Sequence, residues 1–449
     1  MFLKFIKCNL NKKMQLYYYI KSKLNTAFFK KILTLFTGSV VSQTIIFLSI
    51  PFLTRLFSTE EFGIYMLFST SIALLKILIS LNFELAIILP KRNKDAINIF
   101  VFNLLLILFF SILLLIAVFL FKNNLASFLK IQNLYNYIYL IPISTFLIGN
   151  ISALEYWNNR NNNFGNITAG VITKSSTMSV SQLLTGVSSF KSIGLIPGLI
   201  LGQVLNFIVL INQSLKSVLI LKKHVSIKRM LFLVLKYRDI PLFNTILTFT
   251  NTLSNQLPII LITRFFGVDV AGIYGLAAKV SQAPSGIINK SISLVFFNEA
   301  SNIYNNDGDL YKLVKSMQKK LFFTALIIFI PIFAISFFLN LIFGENWNEV
   351  GFYVRILLPW LFIMFLNSPI SSLIEILNKQ KSFLIYGIIL LVARFLALYL
   401  GFALFNNIKI SLILFSGVGV IFGFFLFFYF IKISKKASKI KNNAYNNLT

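Results

Sequence analysis

Long apolar runs, each close to the length of a membrane-spanning helix, recur from one end of this 449-residue chain to the other. A helix needs about 20 mostly apolar residues to cross the hydrocarbon core of a bilayer. Hydrophobic residues make up 57% of the sequence and charged residues only 12%, whereas soluble domains carry about 25% charged residues. A soluble enzyme, a disordered chain and a disulfide scaffold are therefore excluded, and the sequence predicts a polytopic membrane protein.

Clusters of charged residues and asparagines divide the chain into twelve segments that could each span a membrane as a helix. These predicted spans are residues 33–53, 62–89, 98–120, 135–154, 167–187, 194–215, 240–262, 272–297, 321–342, 352–377, 383–402 and 411–431. The predicted fold class is an all-α integral membrane protein with six spans in each of two lobes. The predicted domains are a basic segment, a lobe, a basic linker, a second lobe and a basic tail, at 1–31, 32–215, 216–238, 239–431 and 432–449.

Basic residues are distributed unevenly between the two sides of the predicted membrane protein. The chain has 42 Lys+Arg and 13 Asp+Glu, a formal net charge of +29. Twelve spans place both termini on one side, and 30 basic residues then fall on that side against six on the other. Because lysine and arginine concentrate in cytoplasmic loops, both termini are predicted to be cytoplasmic. Basic residues spread through short loops also argue against a nucleic-acid partner, which needs one basic surface.

A twelve-residue pattern, which we call the repeat motif, occurs twice. Residues 54–65 read TRLFSTEEFGIY and residues 263–274 read TRFFGVDVAGIY, with six identical positions. The copies follow the first and seventh spans, which indicates duplication of a six-span unit in the same orientation; transporters place the substrate path between such halves. Arg55 and Arg264 are predicted to anchor the turn at the lipid headgroups or to act at a gate.

Six cations fall inside predicted spans, and we expect them to line a hydrated cavity that binds substrate. A charged side chain at the bilayer centre costs roughly 2.5–3.5 kcal/mol on insertion scales. Snorkelling towards the interface is the alternative for cations near span ends, such as Arg355 and Lys174. A basic cavity favours an anionic cargo, and phosphate suits compact ammonium groups. The six are Lys76, Lys174, Lys279, Lys290, Arg355 and Arg394.

Glu84 and Glu375 are the acidic residues well inside predicted spans. On one continuous helix Lys76 and Glu84 would lie about 80° apart and about 12 Å along the axis, so we expect them not to neutralise each other. Lys279 and Lys290 would lie about 20° apart and mark one face of the eighth span. Either glutamate could couple transport to H⁺ or Na⁺, or could pair with a cavity lysine.

Signatures of catalysis and metal binding are missing from the sequence. No Walker-type phosphate loop occurs, and His224 is the only histidine, which leaves no zinc-hydrolase motif. Cys8 is the only cysteine, so neither a disulfide within the chain nor a cysteine metal cluster can form. The loops outside the predicted membrane spans are short. We therefore predict a transporter and not an enzyme, with no cofactor and no metal.

Four stretches of sequence resemble a known family. They are GSxxSQ at 38–43, PxxTRLFSTEEFGxY at 51–65, RFFGVDVAGIY at 264–274 and FGExW at 343–347. With the twelve-span layout, they resemble the Wzx-type O-antigen and oligosaccharide flippases, polysaccharide biosynthesis proteins of the multidrug/oligosaccharidyl-lipid/polysaccharide (MOP) exporter superfamily.

The resemblance implies two six-helix lobes in a V that carry an undecaprenyl-diphosphate-linked oligosaccharide across the bacterial inner membrane by alternating access. The cargo would be a repeat unit of O-antigen lipopolysaccharide or of another surface glycan, and Lys76, Lys279, Lys290 and Arg394 would hold its pyrophosphate. Partners would be the lipid bilayer, the glycan polymerase and the chain-length machinery. Two alternatives stay open: a MATE-like drug or cation antiporter, whose cavity would be acidic, and a membrane polysaccharide polymerase or ligase.

Overall fold

The computed structural model describes residues 27–129, 137–188, 194–305 and 308–446. Within these ranges twelve helices have 18 or more residues, and one lies at each predicted span, which confirms the predicted fold class. The first 26 residues of the predicted basic segment, including Cys8, lie outside the described part of the chain. The helices are α1 (Ala27–Leu56), α2 (Thr59–Ser80), α3 (Asn93–Leu129), α4 (Leu140–Arg160), α5 (Phe164–Val187), α6 (Leu195–Leu221), α7 (Thr245–Phe266), α8 (Val268–Asn305), α9 (Leu310–Ile335), α10 (Val350–Asn367), α11 (Gln380–Phe405) and α12 (Ile408–Asn446).

The outer surface of the molecule is apolar. Phe109, Phe119, Ile327 and Leu404 are each more than half exposed, and an exposed apolar surface of this extent marks contact with lipid. Eight of the twelve helices are long and apolar enough to cross a membrane by length and composition. The other four helices, α4, α5, α7 and α8, are not among these eight. The protein is therefore a multi-pass membrane protein, and α2 and α10 are the most buried of its eight apolar helices.

The two lobes are α1–α6 and α7–α12, and α2 packs against both α7 and α8 of the other lobe. We call the end of the molecule that carries the repeat motif the motif end, and the opposite end, where α1 begins and α12 finishes, the terminal end. Thr70 Oγ1 on α2 donates a hydrogen bond to Gln256 Oε1 on α7 at 3.0 Å. Near the terminal end, Thr245 Oγ1 donates to the Leu81 carbonyl at 2.7 Å. The contact between α2 and α7 therefore follows most of the length of both helices.

Both ends of α2 are fixed by local chemistry. Ser58 caps its first turn: the Glu61 amide donates to Ser58 Oγ at 3.2 Å, and the Ser58 amide donates to Glu61 Oε2 at 2.7 Å. The helix stops at Ser80 because Leu81 and Asn82 adopt left-handed conformations, with φ of 48° and 50°. A 3₁₀ turn then follows at Phe83–Ile88. The prediction of one continuous helix over 62–89 is wrong.

The predicted tenth span, 352–377, is likewise shorter than expected. Its helix, α10, ends at Asn367, and the chain continues as a 3₁₀ turn, Ser368–Ser372, and a short helix, Leu373–Ile376. Pro369 in this turn has no amide hydrogen to continue the helix. Glu375 lies in the short helix and is exposed, so it does not lie within a long spanning helix.

A short amphipathic helix, Ile227–Lys236, forms most of the connection between the lobes, and we call it the linker helix. Met230 and Leu233 on one face are buried, and Leu233 belongs to the hydrophobic core of the N-terminal lobe. The opposite face carries large apolar side chains beside lysine and arginine, as expected for a helix in the membrane–water interface. The exposed apolar side chains are Ile227, Leu231, Phe232 and Leu235.

Hydrogen bonds attach the linker helix to the start of α3. Arg229 donates from Nε and Nη2 to the two carboxylate oxygens of Asp95, at 2.7 and 3.0 Å. Asn98 Nδ2 donates to the His224 carbonyl, and the Ser226 amide donates to Asn98 Oδ1. The linker helix is therefore part of the N-terminal lobe.

Candidate functional site at the lobe interface

The two copies of the repeat motif contact each other. A methyl group added at Gly63 would overlap the Val268 carbonyl, and one added at Gly272 would overlap the Thr59 carbonyl. Thr59 and Val268 occupy equivalent positions in the two copies, so the contact is reciprocal. The lobes are thus packed backbone against backbone at the motif end, where only glycine fits. The sequence identified the repeat and did not reveal that its copies touch.

Polar and aromatic contacts reinforce this closure. Thr59 Oγ1 donates to Asp269 Oδ1 at 2.7 Å, which joins the first turns of α2 and α8. The buried indole of Trp347 donates from Nε1 to the Thr54 carbonyl at 2.9 Å, and its ring lies 4.9 Å from that of Phe62. The FGExW stretch of the C-terminal lobe therefore covers the first copy of the motif. The cleft between the lobes is closed at the motif end.

The two arginines of the motif lie beside this contact. Arg55 occupies the last turn of α1 and is exposed, and Arg264 occupies the last turn of α7 and is half-buried. Positive charge is favourable at a helix C-terminus, where the carbonyl groups of the last turn point outwards. Their position at the motif end fits both predicted roles, headgroup anchor and gate.

Two cations from opposite lobes lie near Tyr65, next to the closure. Lys279 on α8 has its Nζ 5.1 Å from the centroid of the Tyr65 ring. Lys174 on α5 lies within electrostatic range of the same phenol. Both lysines are half-buried, whereas Tyr65 is buried. We call Lys174, Lys279 and Tyr65 the interface cluster. Tyr65 was not among the predicted site residues, although it occupies an identical position in both copies of the motif.

Lys290 lies further along α8, about 16 Å from Lys279 along the helix axis. The structure describes its backbone and not its side chain. Its predicted role in binding cargo therefore stays a prediction.

Lys76 forms an ion pair with Glu84, with 2.6 Å between Lys76 Nζ and Glu84 Oε1. The glutamate side chain is 2% exposed and that of the lysine 20%. The prediction that these residues do not neutralise each other is wrong, because it assumed one continuous helix. The left-handed residues after Ser80 turn the chain back and bring Glu84 towards α2. Lys76 is thus a compensated cation and contributes little net charge to the cleft.

Arg394 lies inside the C-terminal lobe and is 1% exposed. Its Nη1 donates to Ser254 Oγ on α7 at 2.9 Å. Its guanidinium lies 4.6 Å from the ring centroid of Trp360 on α10 and 5.0 Å from that of Phe415 on α12. The expectation that it faces a hydrated cavity does not describe this conformation, because packing against α10 and α12 encloses it.

Arg355 lies near the surface of the C-terminal lobe. Its Nη1 donates to the Ser336 carbonyl at 3.2 Å, and its guanidinium lies 4.4 Å from the Phe337 ring centroid. Phe337 and Phe352, which flank it, are exposed. This geometry matches the snorkelling alternative and not the predicted cavity lining. Of the five cations whose side chains the structure describes, Lys174 and Lys279 are the two that lie near Tyr65 at the lobe interface.

A family model described as polysaccharide biosynthesis protein matches residues 52–351. The chain belongs to the polysaccharide biosynthesis protein family. The match includes both copies of the repeat motif and both lysines of the interface cluster, and it confirms the predicted family. No curated protein matches the sequence of this family member.

Solved structures share the fold of this polysaccharide biosynthesis protein. An inward-facing MATE multidrug resistance transporter of the MOP superfamily matches with a TM-score of 0.72 and 14% identity, over 89% of this chain and 99% of that one. The lipid II flippase MurJ, in an inward closed conformation, matches with a TM-score of 0.68 and 15% identity, over 93% and 92%. An outward-facing MATE transporter matches with a TM-score of 0.62 and 12% identity, over 91% and 96%. The fold is that of MOP-superfamily transporters.

Proposed function

We propose that the protein is a flippase that carries an undecaprenyl-diphosphate-linked oligosaccharide across the bacterial cytoplasmic membrane by alternating access. Membership of the polysaccharide biosynthesis family supports the class of cargo. A fold shared with MATE transporters and with a lipid II flippase supports the type of movement. The observation that carries the proposal is the position of Lys174 and Lys279, from opposite lobes, near the phenol of Tyr65.

The interface cluster suits a diphosphate. Ammonium groups donate charge-assisted hydrogen bonds to phosphate oxygens, and these bonds are stronger away from bulk water. The polar sugars and the diphosphate would occupy the cleft between the lobes while the lipid tail stays in the bilayer. Neither lysine contacts a carboxylate within the described part of the chain, so both charges are available to the cargo.

The same geometry supplies a release step. Lys174 belongs to α5 and Lys279 to α8, so separation of the lobes at the motif end would draw the two lysines apart. A ligand stabilises the conformation that binds it more tightly. The diphosphate would therefore be held while the motif end is closed and released when it opens. An inside-negative membrane potential favours export of the anion by about 2.3 kcal/mol per charge per 100 mV.

Ion coupling is a further part of the proposal. Glu84 and Glu375 were the predicted H⁺ or Na⁺ carriers, and Glu84 is the buried one. Its pairing with Lys76 means that protonation would break an ion pair. A Glu84→Gln variant with unchanged transport and unchanged pH dependence would remove Glu84 from the transport cycle.

A MATE-like drug or cation antiporter is the second candidate, favoured by the fold shared with multidrug transporters. The charge of the interface cluster opposes it, because a cationic drug would be repelled by two lysines. Deletion of the gene separates the two functions. A flippase mutant loses surface glycan and accumulates lipid-linked units in the inner leaflet, whereas an antiporter mutant becomes sensitive to cationic drugs.

Variants of the interface cluster test the proposed site in the deletion strain. We expect Lys279→Ala and Lys174→Ala each to lower glycan export about tenfold, since one charge-assisted hydrogen bond is worth roughly 1.4 kcal/mol or more. The double variant should abolish export. Lys381→Ala, at an exposed lysine on α11, is the matched control and should restore the glycan fully. Full rescue by the double variant would overturn the assignment of the site.

A further inference from the structure

The guanidinium of Arg394 has one edge without a hydrogen-bond partner. Nη1 donates to the carbonyl and hydroxyl of Ser254 and to Asn255 Oδ1, at 3.3, 2.9 and 3.4 Å. Nε and Nη2 are buried and donate to no acceptor in the described residues. These two N–H groups point in parallel from the same edge of the planar group. Such an edge is the part of arginine that chelates anions.

The surroundings of this edge leave the charge uncompensated. Trp360 and Phe415 lie against the guanidinium, and aromatic rings reduce the cost of a buried cation without neutralising it. Among the described residues no carboxylate forms an ion pair with Arg394. The titratable groups that interact with it are the phenols of Tyr274 and Tyr386. An arginine stays protonated in proteins, so burial without a counter-charge is costly.

The Trp360 indole adds a third donor without an acceptor. Its Nε1 is buried and makes no hydrogen bond to the described residues. Buried polar groups in folded proteins are normally satisfied by protein, water or a bound ion. Three donor nitrogens without an acceptor, on two side chains that contact each other, therefore indicate that an acceptor belongs in this part of the C-terminal lobe.

We propose that the C-terminal lobe binds one small monovalent anion, chloride in the cell, at the Nε–Nη2 edge of Arg394. A single negative charge balances the single positive charge, whereas a phosphate dianion would leave a net negative charge among aromatic rings. The anion completes the packing of α7, α10, α11 and α12 around Arg394. This site is separate from the interface cluster, and it does not depend on the cargo of the proposed flippase.

Thermal unfolding of the purified full chain in detergent tests the site. We expect the wild-type Tm to rise by several degrees, in a saturable way, when chloride or bromide replaces gluconate at constant ionic strength. Arg394→Met should lose this response and should be at least as stable as the wild type in gluconate, because an apolar side chain replaces an unpaired buried charge. Arg355→Met, at a partly exposed arginine with a carbonyl partner, should keep the full response.

Two further measurements keep the test decisive if Arg394→Met fails to fold. Arg394→Lys keeps the positive charge but loses the two parallel N–H donors of the guanidinium. The halide concentration that gives half of the rise in Tm should therefore be higher than for the wild type. Bromide-soaked crystals should show an anomalous peak at hydrogen-bond distance from Nε and Nη2. A wild-type Tm that is independent of the anion would overturn the proposal, because water would then satisfy the edge. Stabilisation by pyrophosphate through Arg394, in place of halide, would also overturn it and would assign the residue to the cargo.

Discussion

The two halves of the molecule use the same tyrosine in different ways. Tyr65 and Tyr274 occupy the last position of the two copies of the repeat motif. Tyr65 faces Lys279 of the opposite lobe, where both lysines of the interface cluster are half-buried. Tyr274 lies within electrostatic range of Arg394, which belongs to the same lobe and is 1% exposed. The tyrosine of the first copy thus faces a cation across the lobe interface, whereas the tyrosine of the second copy lies near a cation enclosed in its own lobe.

The glycines of the same motif, unlike the tyrosines, make equivalent contacts in both copies. Gly63 and Gly272 each lie against a backbone carbonyl of the other copy. A reciprocal backbone contact needs both copies at once, so neither copy can change alone without opening the closure.

The largest expected effect comes from disrupting the reciprocal contact of the two glycines. Gly63→Ala and Gly272→Ala should each abolish transport, because the new methyl group would overlap a backbone carbonyl that cannot move away independently. The measurement is rescue of surface glycan in the deletion strain. On a Cys8→Ser background, a cysteine placed at Met66 should also react faster with a soluble thiol reagent in both variants.

The control for this pair is Gly417→Ala on α12, where an added methyl group would contact nothing within 4 Å. It should behave as the wild type in both assays. If one glycine variant were inactive and the other fully active, the contact would not be reciprocal in the working protein.

The next largest effect is on stability. It compares Lys76, which is paired with a carboxylate, with Arg394, which is not. Lys76→Met should lower the free energy of unfolding by about 3 kcal/mol, because it leaves Glu84 buried without its partner. The double variant Lys76→Met, Glu84→Met should recover most of this loss. Arg394→Met should not destabilise the protein in gluconate. Thermal unfolding measures all three, and equal losses for Lys76→Met and Arg394→Met would contradict the distinction.

The smallest effect sharpens the comparison of the tyrosines. Tyr65→Phe should lower the rate of transport about threefold, because loss of one polar contact of about 0.7 kcal/mol leaves Lys279 less well positioned. Tyr274→Phe should leave the rate nearly unchanged, since Tyr274 lies with the enclosed Arg394. Initial rates of transport in proteoliposomes would measure the difference. A larger effect of Tyr274→Phe than of Tyr65→Phe would contradict the assignment of the cargo site to the interface cluster.

The twelve helices could be predicted because eight of them are long apolar runs and because clusters of charged residues and asparagines mark the ends of the others. The end of α2 at Ser80, within the predicted span 62–89, could not be predicted. The residues from Leu81 to Leu89 are mostly apolar, and hydropathy does not reveal the left-handed conformation of Leu81. The error about Lys76 and Glu84 followed from that break. Helix geometry gives correct distances only where the helix continues.

The cations show a second limit of the sequence. In the sequence Lys279 and Arg394 are alike, because each is a positive charge several residues from both ends of a predicted span. Which way each side chain faces depends on neighbours far away in sequence, such as Trp360 beside Arg394 and Tyr65 beside Lys279. Likewise, the repeat motif was visible at both positions, but a contact between its copies depends on how the lobes assemble.

The attachment of the linker helix to α3 has a consequence for how the lobes can move. Because Arg229 and Asn98 fix that helix to the N-terminal lobe, only residues 237–244 connect it with α7. This segment ends in a π-helical turn, Ile240–Asn244, whose last residue and Thr245 hydrogen-bond to Asn82 and Leu81. Two irregular stretches of backbone therefore form a joint at the terminal end. Opening of the cleft at the terminal end therefore requires the hydrogen bonds of Asn244 and Thr245 to break.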